Sequence, residues 1–176
     1  MKQLIIICGF CLLLVACDGS LTPTLVPPTE CRPVVFNPPT AVANLYLPKA
    51  NLQLPLTQLQ LWHNNQLVTT ITVELATTET SQDQGLQGRL ALAADRGMLY
   101  VFPNLSSYGF WMKDTPLNLD IAFIDRAGRI NEIQNMIAYD RATVHQPTSP
   151  FYYALAVNTG YFDSHCLRVG DYSKLP

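Results

Sequence analysis

The chain is 176 residues long and carries 11 Lys and Arg residues against 13 Asp and Glu residues. This balance excludes the strongly basic surface with which proteins attract nucleic acid, so no nucleic-acid partner is predicted. Charged residues make up only 14% of the chain, well below the roughly 25% of an average soluble protein. The length allows one folded domain of about 100 to 150 residues together with a tether.

The N-terminus has the plan of a secretory signal peptide. Lys2 precedes an apolar run from Leu4 to Ala16, after which the chain turns polar at Asp18. The run has thirteen residues, whereas a helix that crosses a bilayer needs about 20. It is therefore too short for a permanent membrane span, and residues 1–16 are predicted to be a cleaved signal peptide.

The end of this segment, Leu14-Val15-Ala16-Cys17, resembles a lipobox. In a lipobox, small residues precede the cysteine that receives a diacylglyceryl group. An ordinary signal with an incidental cysteine is the alternative, but ordinary cleavage favours an A-x-A-like site. Lipid on Cys17 would hold the protein at a membrane surface, because each buried CH₂ contributes about 0.8 kcal/mol. The predicted location is the cell envelope, with the membrane as a partner and the domain facing the periplasm or the exterior.

A tether is predicted to follow the lipidated cysteine. Asp18 resembles the signal that retains lipoproteins in the inner membrane, which favours that membrane for a Gram-negative source. Residues 17–41 are rich in Pro, Thr and Ser, and proline fixes φ and donates no amide hydrogen. The segment is predicted to be an extended spacer, and residues 42–176 are predicted to form the folded β domain.

The cysteines predict one disulfide. Cys8 and Cys11 lie in the signal and Cys17 is taken by lipid, which leaves Cys31 and Cys166 in the mature chain. Outside the cytoplasm two such thiols usually pair. The bridge would contribute about 4 to 5 kcal/mol through the denatured-state entropy on the chain-entropy model. Neither of these two cysteines lies in a C-x-x-C motif, so no redox or metal role is predicted for them.

The folded region begins with the pattern of a β hairpin and a short helix. Apolar residues alternate with polar ones over 58–63 and over 67–75, a period typical of strands. A turn candidate, His63-Asn64-Asn65-Gln66, separates the two runs. Thr78 can then cap a helix from Glu79 to about Gln84, and Gly85 would end it.

Short strands account for most of the remaining chain. They are predicted over 97–102, 109–112, 119–125, 130–137 and 151–157, with a hairpin turn at 126–129 and a helical turn from Gly160. Two sets of alternating apolar side chains are predicted to lie in the core: Met98, Tyr100 and Phe102 in one strand, and Leu119, Ile121 and Phe123 in another. Short strands at regular spacing predict a mainly β fold, a single compact β-sandwich or barrel-like domain with one or two short helices.

Several blocks occur in an order that resembles a known family. They are Gly85-Leu86-Gln87-Gly88-Arg89, Arg96 to Phe102, Phe110-Trp111-Met112-Lys113-Asp114-Thr115, Leu119-Asp120, and Gly160 with Val169-Gly170-Asp171. Over about residues 70–172, the chain resembles the family called domain of unknown function 192. The resemblance implies a compact, mainly β domain that is often found in exported proteins, and it implies no established enzyme activity.

The chain departs from that family pattern at five positions. It has Gln87 for Met, Tyr100 for Phe, Asp114 for Asn, Asn118 for a Pro before Leu-Asp, and Ala156 for a frequent Glu. If the family uses that Asn or that Glu, a function inferred from the resemblance is altered in this chain.

The densest group of aromatic and charged side chains predicts a ligand-binding surface. Its members are Trp111, Lys113, Asp114, Thr115 and Asp120. An aromatic ring beside polar groups suits a sugar, because the ring covers C–H faces while the polar groups bind hydroxyls. Arg89 is placed with this site because an inward-facing charge needs a partner, which Asp120 could supply. The alternative is that the aromatic rings are core, the charges belong to turns, and the ion pair is structural.

Three classes of function fit these residues. The favoured one is a membrane-tethered binding or accessory domain without enzyme activity, with a glycan or an envelope protein as partner. The second is an envelope glycan hydrolase in which Asp114 and Asp120 form the acid and base pair. The third is a protein-interaction module. The three histidines fit no metal-ligand spacing and no phosphate-binding loop is present, so no metal or cofactor is predicted.

Overall fold

The computed structural model describes residues 53–174. The predicted signal peptide, the lipidation of Cys17, the tether over 17–41 and Cys31 lie outside the described residues and stay predictions. Cys166 lies within them, buried directly after the second helix, so the disulfide also stays a prediction. Within residues 53–174 no helix is both long and apolar enough to cross a membrane.

The predicted hairpin is confirmed. Strand β1 spans Leu56–His63 and strand β2 spans Gln66–Ala76, and the two pair in antiparallel register. Asn64 and Asn65 join them with φ values of 48° and 61°. A two-residue turn with both φ values positive matches the right-handed twist of the flanking strands, and asparagine tolerates this conformation better than most residues.

The predicted helix α1 is confirmed at Glu79–Gln84. Thr78 Oγ1 accepts a hydrogen bond from the Ser81 amide at 3.2 Å, and Ser81 Oγ accepts one from the Thr78 amide at 3.0 Å. This reciprocal capping satisfies two amides that the helix itself leaves without partners. Gly85 ends the helix with φ +46°.

Five more strands and a second helix complete the domain: β3 Arg96–Ser106, β4 Leu119–Ile124, β5 Ile130–Met136, β6 Phe151–Asn158, α2 Tyr161–Ser164 and β7 Tyr172–Lys174. One predicted strand is wrong. Over residues 109–112 the chain forms only an isolated bridge between Phe110 and His145, because no neighbouring strand continues the ladder there.

The strands form one seven-stranded sheet in the order β5-β4-β6-β3-β2-β1-β7. Its two edge strands meet at one corner, where Arg129 and Tyr172 form an isolated bridge. Hydrogen bonds from the Ile130 amide to the Asp171 carbonyl, 2.8 Å, and from the Ser173 amide to the Gly128 carbonyl, 2.7 Å, extend this contact. The predicted mainly β domain with two short helices is therefore confirmed, and its sheet does not close into a barrel.

Both faces of the sheet are buried. Along β4, Ala122 and Ile124 point to one hydrophobic cluster while Ile121 and Phe123 point to the other, and all six residues of the strand are buried. The first cluster includes Tyr161 and Phe162 of α2 and is called here the α2 cluster. The second is called the Phe110 cluster, and it contains Met98, Tyr100, Phe110, Met112, Leu119, Ile121, Phe123, Met136, Phe151 and Ala156, with Phe102 packed against it. The predicted core positions of β3 and β4 are thus confirmed.

Candidate ligand-binding cleft

A cleft opens at the edge of the Phe110 cluster, between the end of α1 and the segment 110–115. Its floor is formed by Met112, Leu119, Met136 and Ala156, and residues 82–87 form one side of its mouth. The floor residues come from three strands and one loop, and each is at most 3% exposed. The cavity volume is about 30 Å³, which is room for about two water molecules at roughly 10 to 15 Å³ each.

Phe110 forms a fixed wall of this cleft. Its amide and carbonyl both bond to the backbone of His145, at 2.9 and 2.7 Å. The His145 ring lies 3.2 Å from Gln134 Oε1 through Nδ1, and Gln134 Nε2 donates to Glu132 Oε1 at 2.6 Å. Burial lowers the pKa of His145, and the nearby Asp140 carboxylate acts in the opposite direction. The wall is therefore attached to edge strand β5 through side chains.

Gly85 allows the backbone to approach the cleft closely. A Cβ atom at this position would lie 2.5 Å from the hydroxyl oxygen of Tyr100, a second residue that lines the cleft. The φ of +46° also lies in the region that only glycine adopts without strain. Burial raises the pKa of Tyr100 far above its usual range, so its hydroxyl stays protonated. The first glycine of the Gly85-to-Arg89 block thus has a physical role at this site.

A second tyrosine lies beside the mouth of the cleft. The Tyr108 hydroxyl donates to Asp83 Oδ1 at 2.8 Å, and Asp83, on α1, also lines the cleft. Burial, followed by this hydrogen bond, raises the pKa of Tyr108 to about 12. The contact joins α1 to the loop before Phe110.

Trp111 is the most exposed aromatic side chain that lines the cleft. It is 48% exposed, while its neighbours Phe110 and Met112 are 6% and 1% exposed. The Lys113 ammonium lies over the indole, 5.2 Å from the ring centroid, a favourable cation–π distance. Phe110 is therefore a core residue, and Trp111 is a surface residue at the edge of a cavity.

The two residues after Lys113 belong to the turn that follows Trp111 and Met112. Asp114 has φ +56°, its carbonyl accepts from the Gly88 amide at 2.7 Å, and its carboxylate pairs with Arg141 at 2.7 Å. Thr115 is 3% exposed and lines the cleft, and its carbonyl accepts from the Tyr139 amide at 2.9 Å. Asp114 thus connects two loops at the surface, and Thr115 is buried in the wall of the cleft.

Asp120 belongs to a separate polar network. Its carboxylate accepts hydrogen bonds from Asn135 Nδ2 at 2.9 Å, from Thr159 Oγ1 at 3.1 Å and from the Gly160 amide at 2.7 Å. These donors come from β5 and from the turn that leads into α2. Asp120 is 8% exposed and does not line the cleft, so its contacts hold three parts of the fold together.

Arg89 pairs with Glu74 of β2 through two hydrogen bonds that engage both carboxylate oxygens. The side chains are 11% and 17% exposed. The predicted pairing of Arg89 with Asp120 is therefore wrong, because a carboxylate on β2 lies closer. Both charges act on Tyr100, with Arg89 lowering and Glu74 raising its pKa.

The structure brings together only part of the predicted site. Trp111 and Thr115 line the cleft, Lys113 contacts Trp111, and Asp114 lies in the same turn, whereas Asp120 and Arg89 belong to other networks. The sequence reasoning missed the cleft residues of α1 and those of the floor. The glycine-rich block at 85–89 was the one signal for them. No group of three His, Cys, Asp or Glu side chains within residues 53–174 could hold a metal ion.

These features define a mainly β domain of one open sheet with a small, aromatic-edged cleft. The chain belongs to the DUF192 family, described as an uncharacterized ACR, whose model matches residues 60–175. A comparison with curated proteins finds no match.

Solved structures show the same fold. A protein from Sinorhizobium meliloti 1021, described as a "putative transcription regulator", is 28% identical with a TM-score of 0.67, and the match covers 71% of this chain and 97% of that one. A protein of unknown function from Novosphingobium aromaticivorans DSM 12444 is 26% identical with a TM-score of 0.64, and the match covers 77% and 94% of the two chains.

Proposed function

We propose that this protein is a lipoprotein of the cell envelope, anchored through Cys17, whose domain binds a glycan at the cleft without converting it. The observation that carries the proposal is the position of Trp111, a half-exposed indole that lines a small cavity with both polar and apolar residues in its wall. A large aromatic side chain is usually buried in a small domain, and an exposed one beside a cavity is typical of a binding site.

The polar groups near Trp111 support a carbohydrate as the ligand. Gln87 lines the cleft. Its Nε2 donates to the Asp83 carbonyl at 2.8 Å, and an amide side chain also has a second N–H donor and an acceptor oxygen. Sugar hydroxyls need both kinds of partner, while the C–H face of the ring packs on an aromatic side chain. A surface with these two components can therefore hold a neutral sugar.

The contacts of the two candidate acids support binding rather than hydrolysis. A glycosidase needs two carboxyl groups facing one bond across a gap of about 5 to 10 Å. Asp114 is paired with Arg141 at the surface, and the Asp120 carboxylate is engaged by three donors of the fold. Each acid therefore has contacts that stabilise the fold, and Asp120 does not line the cleft.

The charge of the chain gives no support to a DNA-binding role for it. The S. meliloti protein is described as a "putative transcription regulator". Eleven basic residues are outnumbered by 13 acidic ones. Arg89 and Arg141 are paired with carboxylates. A DNA-binding domain instead gathers unpaired basic side chains on one face.

Replacement of Trp111 by Ala tests the binding proposal. Titration of the full-length protein in detergent micelles with soluble muropeptides should show saturable binding that Trp111→Ala abolishes, with the muropeptides recovered unchanged. Because Trp111 is half exposed, the same variant should change the free energy of unfolding by less than about 1 kcal/mol. Tyr139→Ala is the matched control, since Tyr139 is 60% exposed and does not line the cleft. Equal binding by wild type and Trp111→Ala would overturn the proposal.

Mass spectrometry tests the envelope part of the proposal. Protein purified from bacterial membranes should begin at Cys17 and carry acyl chains, and Cys17→Ser should leave the signal attached and the acyl mass absent. Without reduction, the mature protein should also show no reactive thiol if Cys31 and Cys166 are bonded. An unmodified N-terminus at another residue would contradict the anchor, and two reactive cysteines would contradict the disulfide.

A further inference from the structure

Apolar, aromatic and basic side chains lie side by side at the corner of the sheet where β7 ends it. Trp62 of β1 lies directly opposite Leu67 of β2 on one side and Tyr172 of β7 on the other. Tyr172 in turn forms its bridge with Arg129. Residues directly opposite in antiparallel strands point to the same face of the sheet. The four side chains therefore form one row across the corner, called here the β7 row.

The β7 row points away from the core. Leu61 and Ser173, the neighbours of Trp62 and Tyr172 along their strands, are 0% and 5% exposed, and Leu61 belongs to the α2 cluster. Because successive side chains of a strand point to opposite faces, Trp62 and Tyr172 face outward. Leu67 and Tyr172 are 48% and 45% exposed, and Trp62 is half-buried. The row is thus an accessible surface with an apolar and aromatic part.

The charged side chains of this surface are basic. Arg129 is exposed in the row, and Lys174 is exposed on β7, two residues beyond it. Strands β1 and β7 contain no Asp or Glu. The acids of the adjoining turns are engaged elsewhere: Asp125 Oδ1 accepts hydrogen bonds from the amides of Ala127 and Arg129, and Asp171 is buried. The surface therefore suits an anionic partner.

We propose that the β7 row, together with Lys174, docks on the headgroups of an anionic phospholipid bilayer. This inference rests on the proposed anchor at Cys17 and adds the orientation of the domain on the membrane. Aromatic and aliphatic side chains are favoured at the level of the headgroups, and long basic side chains reach the phosphates. One basic side chain near an anionic surface strengthens binding about fivefold.

The predicted tether favours a bilayer as the partner. Cys31 follows Cys17 by fourteen residues, and an extended spacer of about 3.1 Å per residue would keep the two within about 40 Å of each other. The predicted disulfide would attach this tether at Cys166, on the segment that leads into β7. A short tether gives the domain a high effective concentration at the lipid surface, so that a weak contact is sufficient for docking.

The two tryptophans of the chain can report which face contacts lipid. Trp62 is the remaining indole in Trp111→Phe, and Trp111, which lines the cleft, is the remaining indole in Trp62→Phe. The mature acylated protein is reconstituted into vesicles of phosphatidylglycerol or of phosphatidylcholine, each with lipids brominated near the headgroup. Bromine quenches an indole that lies at the lipid. Trp62 fluorescence should be quenched in phosphatidylglycerol vesicles, and Trp111 fluorescence should not.

Removal of charge tests the role of the basic side chains. In the Trp111→Phe background, Arg129→Gln with Lys174→Gln should lower the docking equilibrium constant about 25-fold, because each charge contributes about fivefold. Salt at about 1 M, where the screening length falls to about 3 Å, should also abolish the quenching. Lys113→Gln with Arg141→Gln is the matched control, since it removes two charges that lie outside the β7 row.

The outcomes separate this inference from the proposed function. Acylated protein whose Trp62 stays unquenched, or is quenched equally in phosphatidylcholine vesicles, would overturn docking on anionic lipid and retain the anchor. Quenching of Trp111 alone would also overturn it, because the cleft would then face the membrane. Protein without acyl chains that remains in solution would overturn both the anchor and the docking.

Discussion

The two faces of the sheet are packed with different kinds of side chain. The α2 cluster is formed mainly by Leu, Ile and Val, whereas the Phe110 cluster contains four aromatic residues and three methionines among its buried members. Branched aliphatic side chains have few rotamers and fill space uniformly. Rings that meet edge to face, as Phe110 and Tyr100 do at 4.9 Å, together with flexible methionines, fit irregular spaces. The comparison shows that the cleft lies at the face whose packing is more adaptable.

The largest effect should come from truncating one leucine of the α2 cluster. Leu99→Ala, at a position that is 0% exposed, should lower the free energy of unfolding by about 4 kcal/mol, because the enclosed cavity cannot be filled. Met112→Ala should cost only about 2 kcal/mol, because Met112 borders the cleft and water can enter. Urea denaturation measures both values. Equal losses would show that the two faces pack alike.

The next effect concerns the polar network at the α2 face. Asp120→Ala removes the acceptor of three hydrogen bonds and leaves the Gly160 amide without its partner, so we expect a loss of about 2 to 3 kcal/mol. Asp114→Ala is the control, because its ion pair with Arg141 is exposed and such pairs contribute less than about 1 kcal/mol. A larger loss for Asp114→Ala than for Asp120→Ala would reverse the structural assignment of the two acids.

A smaller effect should follow from adding a methyl group at the cleft. Gly85→Ala places its Cβ 2.5 Å from the Tyr100 hydroxyl at φ +46°, and we expect a cost of about 2 kcal/mol together with weaker glycan binding. Gly160→Ala has a positive φ of 79° but meets nothing within 4 Å, so it should cost about 1 kcal/mol and leave binding intact. Thermal unfolding and the muropeptide titration distinguish the two variants.

The smallest effect is a dependence of stability on pH at the wall of the cleft. Burial lowers the pKa of His145, so the unfolded chain binds a proton there at a higher pH than the folded protein does. The contribution of His145 to stability is therefore complete above its ordinary pKa of about 6.5 and declines as the pH falls below that value. Melting temperatures at pH 7.5 and 5.5 should differ more for the wild type than for His145→Gln. The same difference in both proteins would contradict the prediction.

The sequence pattern was sufficient to predict those elements that are stabilised by contacts between residues close together in the sequence. The hairpin turn at Asn64 and Asn65 and the capped helix from Glu79 to Gln84 both depend on neighbours within a few residues. The segment 109–112 was wrongly predicted as a strand because its aromatic and apolar residues are typical of strands. Its partner His145 is remote in sequence, and no local rule reveals that the pairing stops at one bridge.

The cleft could not be predicted because the residues that line it are also remote from one another in the sequence. Its lining comes from α1, from the four strands β3, β4, β5 and β6 and from an irregular loop, which only the sheet order brings together. Trp111 was predicted from its type, and the structure adds that it is exposed. Ala156, where the resemblance implied a frequent Glu, lies at the floor. In this chain that position gives the site an apolar end.

The corner where Arg129 meets Tyr172 has a consequence for how the domain is assembled. Strand β7 contains only three paired residues, yet it completes the sheet by lying against β1, which begins the described domain, while also touching the start of β5. Contacts between such distant parts of a chain form late and slowly in folding. Residues 172–174 must therefore leave the ribosome before β7 can pair with β1, and a chain that lacks them would expose the backbone edge of β1 to other molecules.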